Sequence, residues 1–113
     1  MGLERILKAL ADKNRIRIIK LLENRRMCVC QLAFVLGVTQ PSVSRHLKKL
    51  CATGLVQGRQ EGFWTYYCLG RPRGPGKTLL ECVCRWLEDE DVVAKDRKKL
   101  TTKEFGKVCD KRD

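Results

Sequence analysis

Apolar residues recur at helical spacing along the first half of the chain. Leu3, Ile6, Leu7, Leu10 and Ala11 keep an i, i+3, i+4 pattern and predict a first helix. Asp12-Lys13-Asn14 interrupts it, and Asn14 is suited to cap a second helix carrying Ile16, Ile18, Ile19, Leu21 and Leu22. A short third helix runs from Cys28 to Leu36 and ends at Gly37. Thr39 or Gln40 opens a fourth, with Pro41 fitting its first turn. Thr53-Gly54 closes that helix, since glycine supplies a left-handed cap without steric cost.

The period then changes. Leu55 to Arg59 and Phe63 to Leu69 are rich in β-branched and aromatic residues, and Gln60-Glu61-Gly62 between them reads as a hairpin turn. Gly70 to Gly76 holds two prolines and three glycines and predicts a linker. Leu79, Leu80, Val83, Trp86 and Leu87 mark the apolar stripe of a fifth helix. From Lys95 onward the chain is highly charged, with Leu100, Phe105 and Val108 as its apolar anchors, and Thr101-Thr102-Lys103-Glu104 can cap one last short helix. No internal repeat is visible. The expected fold is mainly α with a small β-hairpin wing, a winged helix-turn-helix in the order α-α-α-α-β-β-α. The expected organisation is one DNA-binding and dimerisation domain over 1–90 and a basic tail over 91–113.

Charge sharpens the picture. In 113 residues, 24 lysines and arginines stand against 13 acids, a net charge of +11. So lopsided a balance on a small domain favours a polyanionic partner, above all nucleic acid. Seven cysteines, an odd number, do not suit a secreted disulfide framework. No charged-then-apolar leader and no membrane-length apolar run is present, and Ile6 stands where a myristoylation signal needs Ser or Thr. A reducing cytoplasm is the expected compartment, and no membrane partner is expected. Gly76-Lys77-Thr78 imitates the end of a phosphate-binding loop, but Gly70 lies one residue too early for that motif, and Pro75 lacks a needed N–H. An enzyme is not expected.

The third and fourth helices with their short glycine-bearing turn form a helix-turn-helix pattern, whose second helix reads the major groove. Val43, Leu47 and Leu50 should face the core, leaving Gln40, Pro41, Ser42, Ser44, Arg45, Lys48 and Lys49 toward DNA. Arg45 can pair bidentately with guanine and Gln40 with adenine, while Lys48 and Lys49 suit phosphates. Arg59 and Gln60 of the wing can reach a flanking groove or the backbone. His46, the single histidine, is expected at a phosphate or in packing and not on a metal.

These segments resemble the ArsR–SmtB family of bacterial winged-helix metal-sensing repressors. The resemblance is carried by Leu10-Ala11-Asp12 with Arg15-Ile16-Arg17-Ile18, by Cys28-Val29-Cys30-Gln31-Leu32, and by Gln40-Pro41-Ser42-Val43-Ser44-Arg45-His46-Leu47. Gly54-Leu55-Val56 and Gly62-Phe63-Trp64-Thr65-Tyr66-Tyr67 extend it, so that it covers residues 3–90. It implies a homodimer, paired through first and last helices, that represses on double-stranded operator DNA until a metal releases it.

The same resemblance marks Cys28-Val29-Cys30 as a thiolate sensor of the arsenite branch, with As(III) or Sb(III) as inducer. The chemistry agrees, because soft thiolates select soft ions and a helix N-terminus favours the thiolate form. Arg25 and Arg26 should push the same way. On a regular helix, residues two apart diverge, so gripping one ion should distort the first turn of the third helix. That helix supports the recognition helix, which would make ion and DNA compete for one backbone.

The arsenite branch carries a further cysteine three residues on, where this chain has Ala33. Elimination among the other cysteines points to Cys109 on the tail as third ligand, with Cys51, Cys82 and Cys84 as alternatives. Cys82-Val83-Cys84 repeats the spacing, but mid-helix its thiols should diverge into packing. Cys68 should pack on a wing strand, and Cys51 should be exposed. A cadmium- or lead-responsive repressor and a thiol redox sensor on the same scaffold are the alternative readings.

Overall fold

Residues 2–108 are described by the computed structural model. In chain order they form α1 (Gly2–Leu10), α2 (Lys13–Leu22), β1 (Met27–Cys28), α3 (Val29–Leu36), α4 (Gln40–Ala52), β2 (Val56–Glu61), β3 (Trp64–Leu69), α5 (Pro75–Trp86), α6 (Asp91–Leu100) and α7 (Lys103–Lys107). The winged helix-turn-helix expected from the pattern is present, with a short extra strand before α3, an extra helix α6 after α5, and α7 where the last short helix was expected.

Local chemistry sets the boundaries. Asp12, not Asn14, caps α2: its carboxylate accepts from the N–H groups of Asn14 at 2.8 Å and Arg15 at 3.1 Å. Gly37 takes φ +72°, ends α3, and leaves three residues for the turn into α4. Thr39 Oγ1 accepts from the Ser42 N–H, with Pro41 in the first turn of α4. The hairpin turns through Gly62-Phe63, one step later than expected, because Glu61 still pairs with Trp64. Pro75 opens α5 inside the stretch expected as linker.

The core joins α2, α3, α4 and the start of β2. Ile18, Ile19, Leu32, Val43, Leu47, Leu50 and Leu55 are buried there, each contributing about 1.5–3 kcal/mol of burial. Met27 joins them from β1. The sheet is antiparallel, in the order β1-β3-β2. Two buried cations tie helices together. Arg15 donates to Ala9 O at 2.6 Å and Lys8 O at 3.3 Å, satisfying carbonyls at the end of α1. Lys20 donates to Cys84 O in the last turn of α5, and to Glu23 and Glu88, at 2.6 to 2.7 Å.

The segment expected as a basic tail packs back on the core. Val93 and Asp96 of α6 are buried, and Arg17 of α2 grips Asp96 through two hydrogen bonds of 2.8 and 3.0 Å. Lys99 donates to Val35 O near the end of α3. Phe105 of α7 is buried against Phe34, and Arg25 lies over its ring. Along α5 the apolar stripe is uneven: Leu80 and Cys84 are buried, Leu79 and Val83 half-buried, and Trp86 is 72% exposed. No helix among the described residues is long and apolar enough to cross a membrane.

Candidate nucleic-acid interface and thiolate site

The fourth helix divides as its pattern requires. Val43, Leu47 and Leu50 are buried, while Gln40, Pro41, Ser44, Arg45, Lys48 and Lys49 are exposed and Ser42 is half-exposed. One face of a rigid helix, roughly 20 Å long at about 1.5 Å per residue, therefore offers hydroxyls, amides and cations together. His46 is turned inward instead. It is half-buried, and Arg15 Nη1 approaches its Nδ1 at 3.3 Å. Burial, with the Arg15, Lys49 and Arg45 charges, holds its ring below the ordinary imidazole range, against the pull of Asp12. His46 thus serves as a neutral link between α2 and the recognition helix.

Arg59 and Gln60 are exposed on β2. Glu61, the single acid of the hairpin, pairs with Arg26, whose guanidinium lies 4.3 Å from the Tyr66 ring centroid. Arg25 and Arg26 are thus engaged with Phe105, Tyr66 and Glu61, and not directed at the thiols as the sequence suggested.

The thiol geometry corrects the helical expectation. Cys28 lies outside α3: it is the N-cap, with extended backbone at φ −91° and ψ 170°, and it closes β1 opposite Tyr66. Gln31 reaches back, its Oε1 accepting from the Cys28 N–H at 3.1 Å. Cys30 is the second residue of the helix. The strand-to-helix switch between them lets both side chains converge, with Sγ to Sγ 3.0 Å. Two thiolates about 2.3 Å from one ion lie roughly 3.3 Å apart at a right angle, close to this resting separation. Cys28 is 3% exposed and Cys30 half-buried. The strand that makes this geometry has two residues, too few for any periodicity.

Beside Cys30 an open groove of about 600 Å³ runs along Ala33, Phe34, Val38 and Gln40 to Lys107 of α7. It joins the thiol region to the first turn of the recognition helix. Cys109, the expected third ligand, lies outside the described residues. The other sulfurs are not gathered at this site. Cys84 is buried, and burial pushes its thiol up to about 11; Cys82 is half-buried. Cys68 accepts from Gln57 Nε2 on the wing, and Cys51 is half-buried against the core, not exposed as expected. Among the described residues no group of three or more His, Cys, Asp or Glu side chains is placed to hold a metal ion.

Comparison with known proteins agrees with this arrangement. Residues 12–57, from the cap of α2 to the start of β2, match the model of the bacterial regulatory protein, arsR family. The chain is 33% identical over 98 residues to the arsenic resistance transcriptional regulator ArsR2 of Pseudomonas putida, covering 80% of this chain and 84% of that one. It is 37% identical over 82 residues to the arsenical resistance operon repressor of Bacillus subtilis, covering 72% and 78% respectively. In structure it is similar to the homodimeric winged helix-turn-helix DNA-binding domain Mb0332 of Mycobacterium bovis, with a TM-score of 0.65, 30% identity, and 80% of this chain and 81% of that one covered. A helix-turn-helix with a wing, a thiol pair where the first strand meets the supporting helix, and relatives of this kind lead to one assignment: the chain is a transcriptional regulator belonging to the arsR family.

Proposed function

We propose that this regulator is a repressor that binds double-stranded operator DNA as a homodimer and is released when trivalent arsenic or antimony binds Cys28 and Cys30. The observation that carries the reading is the 3.0 Å approach of the two sulfurs at the start of α3, the helix on which α4 is packed. An ion held there would bear on the support of the DNA-reading face. The relatives named as an arsenic resistance regulator and an arsenical resistance repressor support the inducer class, and the homodimeric Mb0332 domain supports the assembly. Leu3, Leu7 and Trp86 are exposed on α1 and α5, which pack on each other. Joined to a second copy, these residues would leave water.

In this role Arg45 and Gln40 read bases, Pro41, Ser42 and Ser44 pack against or bond to the groove, and Lys48, Lys49, Arg59 and Gln60 hold the backbone. His46 acts through Arg15 and the position of α4. Cys109 completes the ligand set. No catalytic step is involved. X-ray absorption at the arsenic edge tests the site: reduced wild type loaded with arsenite should show sulfur neighbours, and Cys28→Ser should lose one. An all-oxygen shell in wild type would refute the thiolate site.

The 3.0 Å approach of the Cys28 and Cys30 sulfurs also favours one second reading, a thiol redox sensor on the same scaffold. Oxidant without arsenite should then release DNA, and arsenite with excess reductant should not.

A further inference from the structure

Phe63 stands 97% exposed at the tip of the hairpin, a position that packing among the described residues does not explain. A single exposed apolar residue is common on protein surfaces, so its setting has to carry the case. Three features do. The turn is two residues long, Gly62 takes φ +62°, and nothing lies within 4 Å of where its Cβ would be. The tip is therefore slender, with Phe63 as its one side chain. The flank is cationic and polar, with Arg59 and Gln60 exposed and Glu61 neutralised by Arg26. The base is stiff: Val56 is buried, β2 and β3 pair along all six residues of each, and the Gly70 N–H donates to Leu55 O at 2.8 Å. Among the described residues the other exposed large apolar side chains, Leu3, Leu7 and Trp86, lie on α1 and α5 and not on the hairpin.

A rigid, narrow, positively flanked finger ending in an aromatic ring matches the minor groove, about 6 Å wide. Phenylalanine is one of the apolar residues used there as a wedge between base steps. We infer that Phe63 inserts into a base step beside each half-site, unstacks it and bends the duplex. The inference rests on the DNA-binding reading and deepens it: pyrimidine–purine steps, which unstack most readily, would be preferred at that position without any hydrogen bond to a base.

The test uses the full-length reduced protein and a duplex selected by it from random sequence, with 2-aminopurine placed in turn at each flanking step. Wild type should raise the fluorescence at one flanking step per half-site. Phe63→Ala should abolish the rise and weaken binding by roughly tenfold, as expected for loss of one base–aromatic stack. Its salt dependence should not change, because no charge is lost, and Phe63→Trp should restore the signal. Unchanged affinity with unchanged fluorescence in Phe63→Ala would overturn the inference while Arg45→Ala still relaxed base preference. Failure of wild type to select any duplex would overturn the DNA reading and the wedge together.

Discussion

At the scale of residues, a few side chains hold the frame and can be told apart by titration and mutation. Lys20 is buried and serves three acceptors at once. Lys20→Met should cost about 1–3 kcal/mol, since it strands the Cys84 carbonyl; urea denaturation measures it. Glu88 is held down from an ordinary 4.5 to about 2 by hydrogen bonds from Arg97 and then Lys20. The folded state therefore favours its ionised form. That contribution is complete above pH 4.5 and is lost as pH falls through 4.5 toward 2. Glu88→Gln should flatten this part of the acid limb of stability, and an unchanged limb would count against the Arg97–Glu88–Lys20 link. Arg45→Ala should cost roughly 1–3 kcal/mol in duplex binding and relax base preference, measured by anisotropy on matched and mismatched duplexes.

At the scale of elements, what the sequence showed depended on length and on range. The buried face of α4 and the exposed one were legible because 13 residues repeat the period several times. β1 was not legible, because it has two residues and exists through pairing with β3, on the far side of α3 and α4 in the chain. Missing it made the thiol pair look like neighbours on one helix, diverging at rest. α6 was hidden by its charge, while α7 was announced by the cap at Thr101–Glu104. Their attachment depends on Arg17 with Asp96 and on Phe34 with Phe105, partners far apart in the chain, and no local pattern reports such pairs. This packing changes how Cys109 is tested. Truncation before Thr101 would remove buried Phe105 and cost stability of its own, about 3–5 kcal/mol by analogy with Phe→Ala. Cys109→Ser leaves α7 in place. It should weaken arsenite binding while release from DNA persists, as titration calorimetry and anisotropy would show.

At the scale of the molecule, the exposed cations Arg45, Lys48, Lys49 and Arg59 lie on α4 and β2, and the exposed apolar residues Leu3, Leu7 and Trp86 lie on α1 and α5. The first suits DNA and the second a second copy of the chain. Leu7→Glu with Trp86→Ala should shift the protein to monomer in sedimentation velocity and weaken binding to a two-half-site duplex, with less effect on a single half-site. Under the proposed function the two surfaces and the thiol pair share one coupled equilibrium: if arsenite lowers DNA affinity, DNA lowers arsenite affinity by the same factor.

The most direct measurement is the anisotropy of a labelled operator duplex bound by reduced protein as arsenite is added, for wild type, Cys28→Ser and Cys30→Ser. Wild type should release the duplex, with affinity falling by about 5- to 150-fold, and both variants should bind DNA normally and stay bound. Release that persists in both variants would contradict the assignment of Cys28 and Cys30 as the switch.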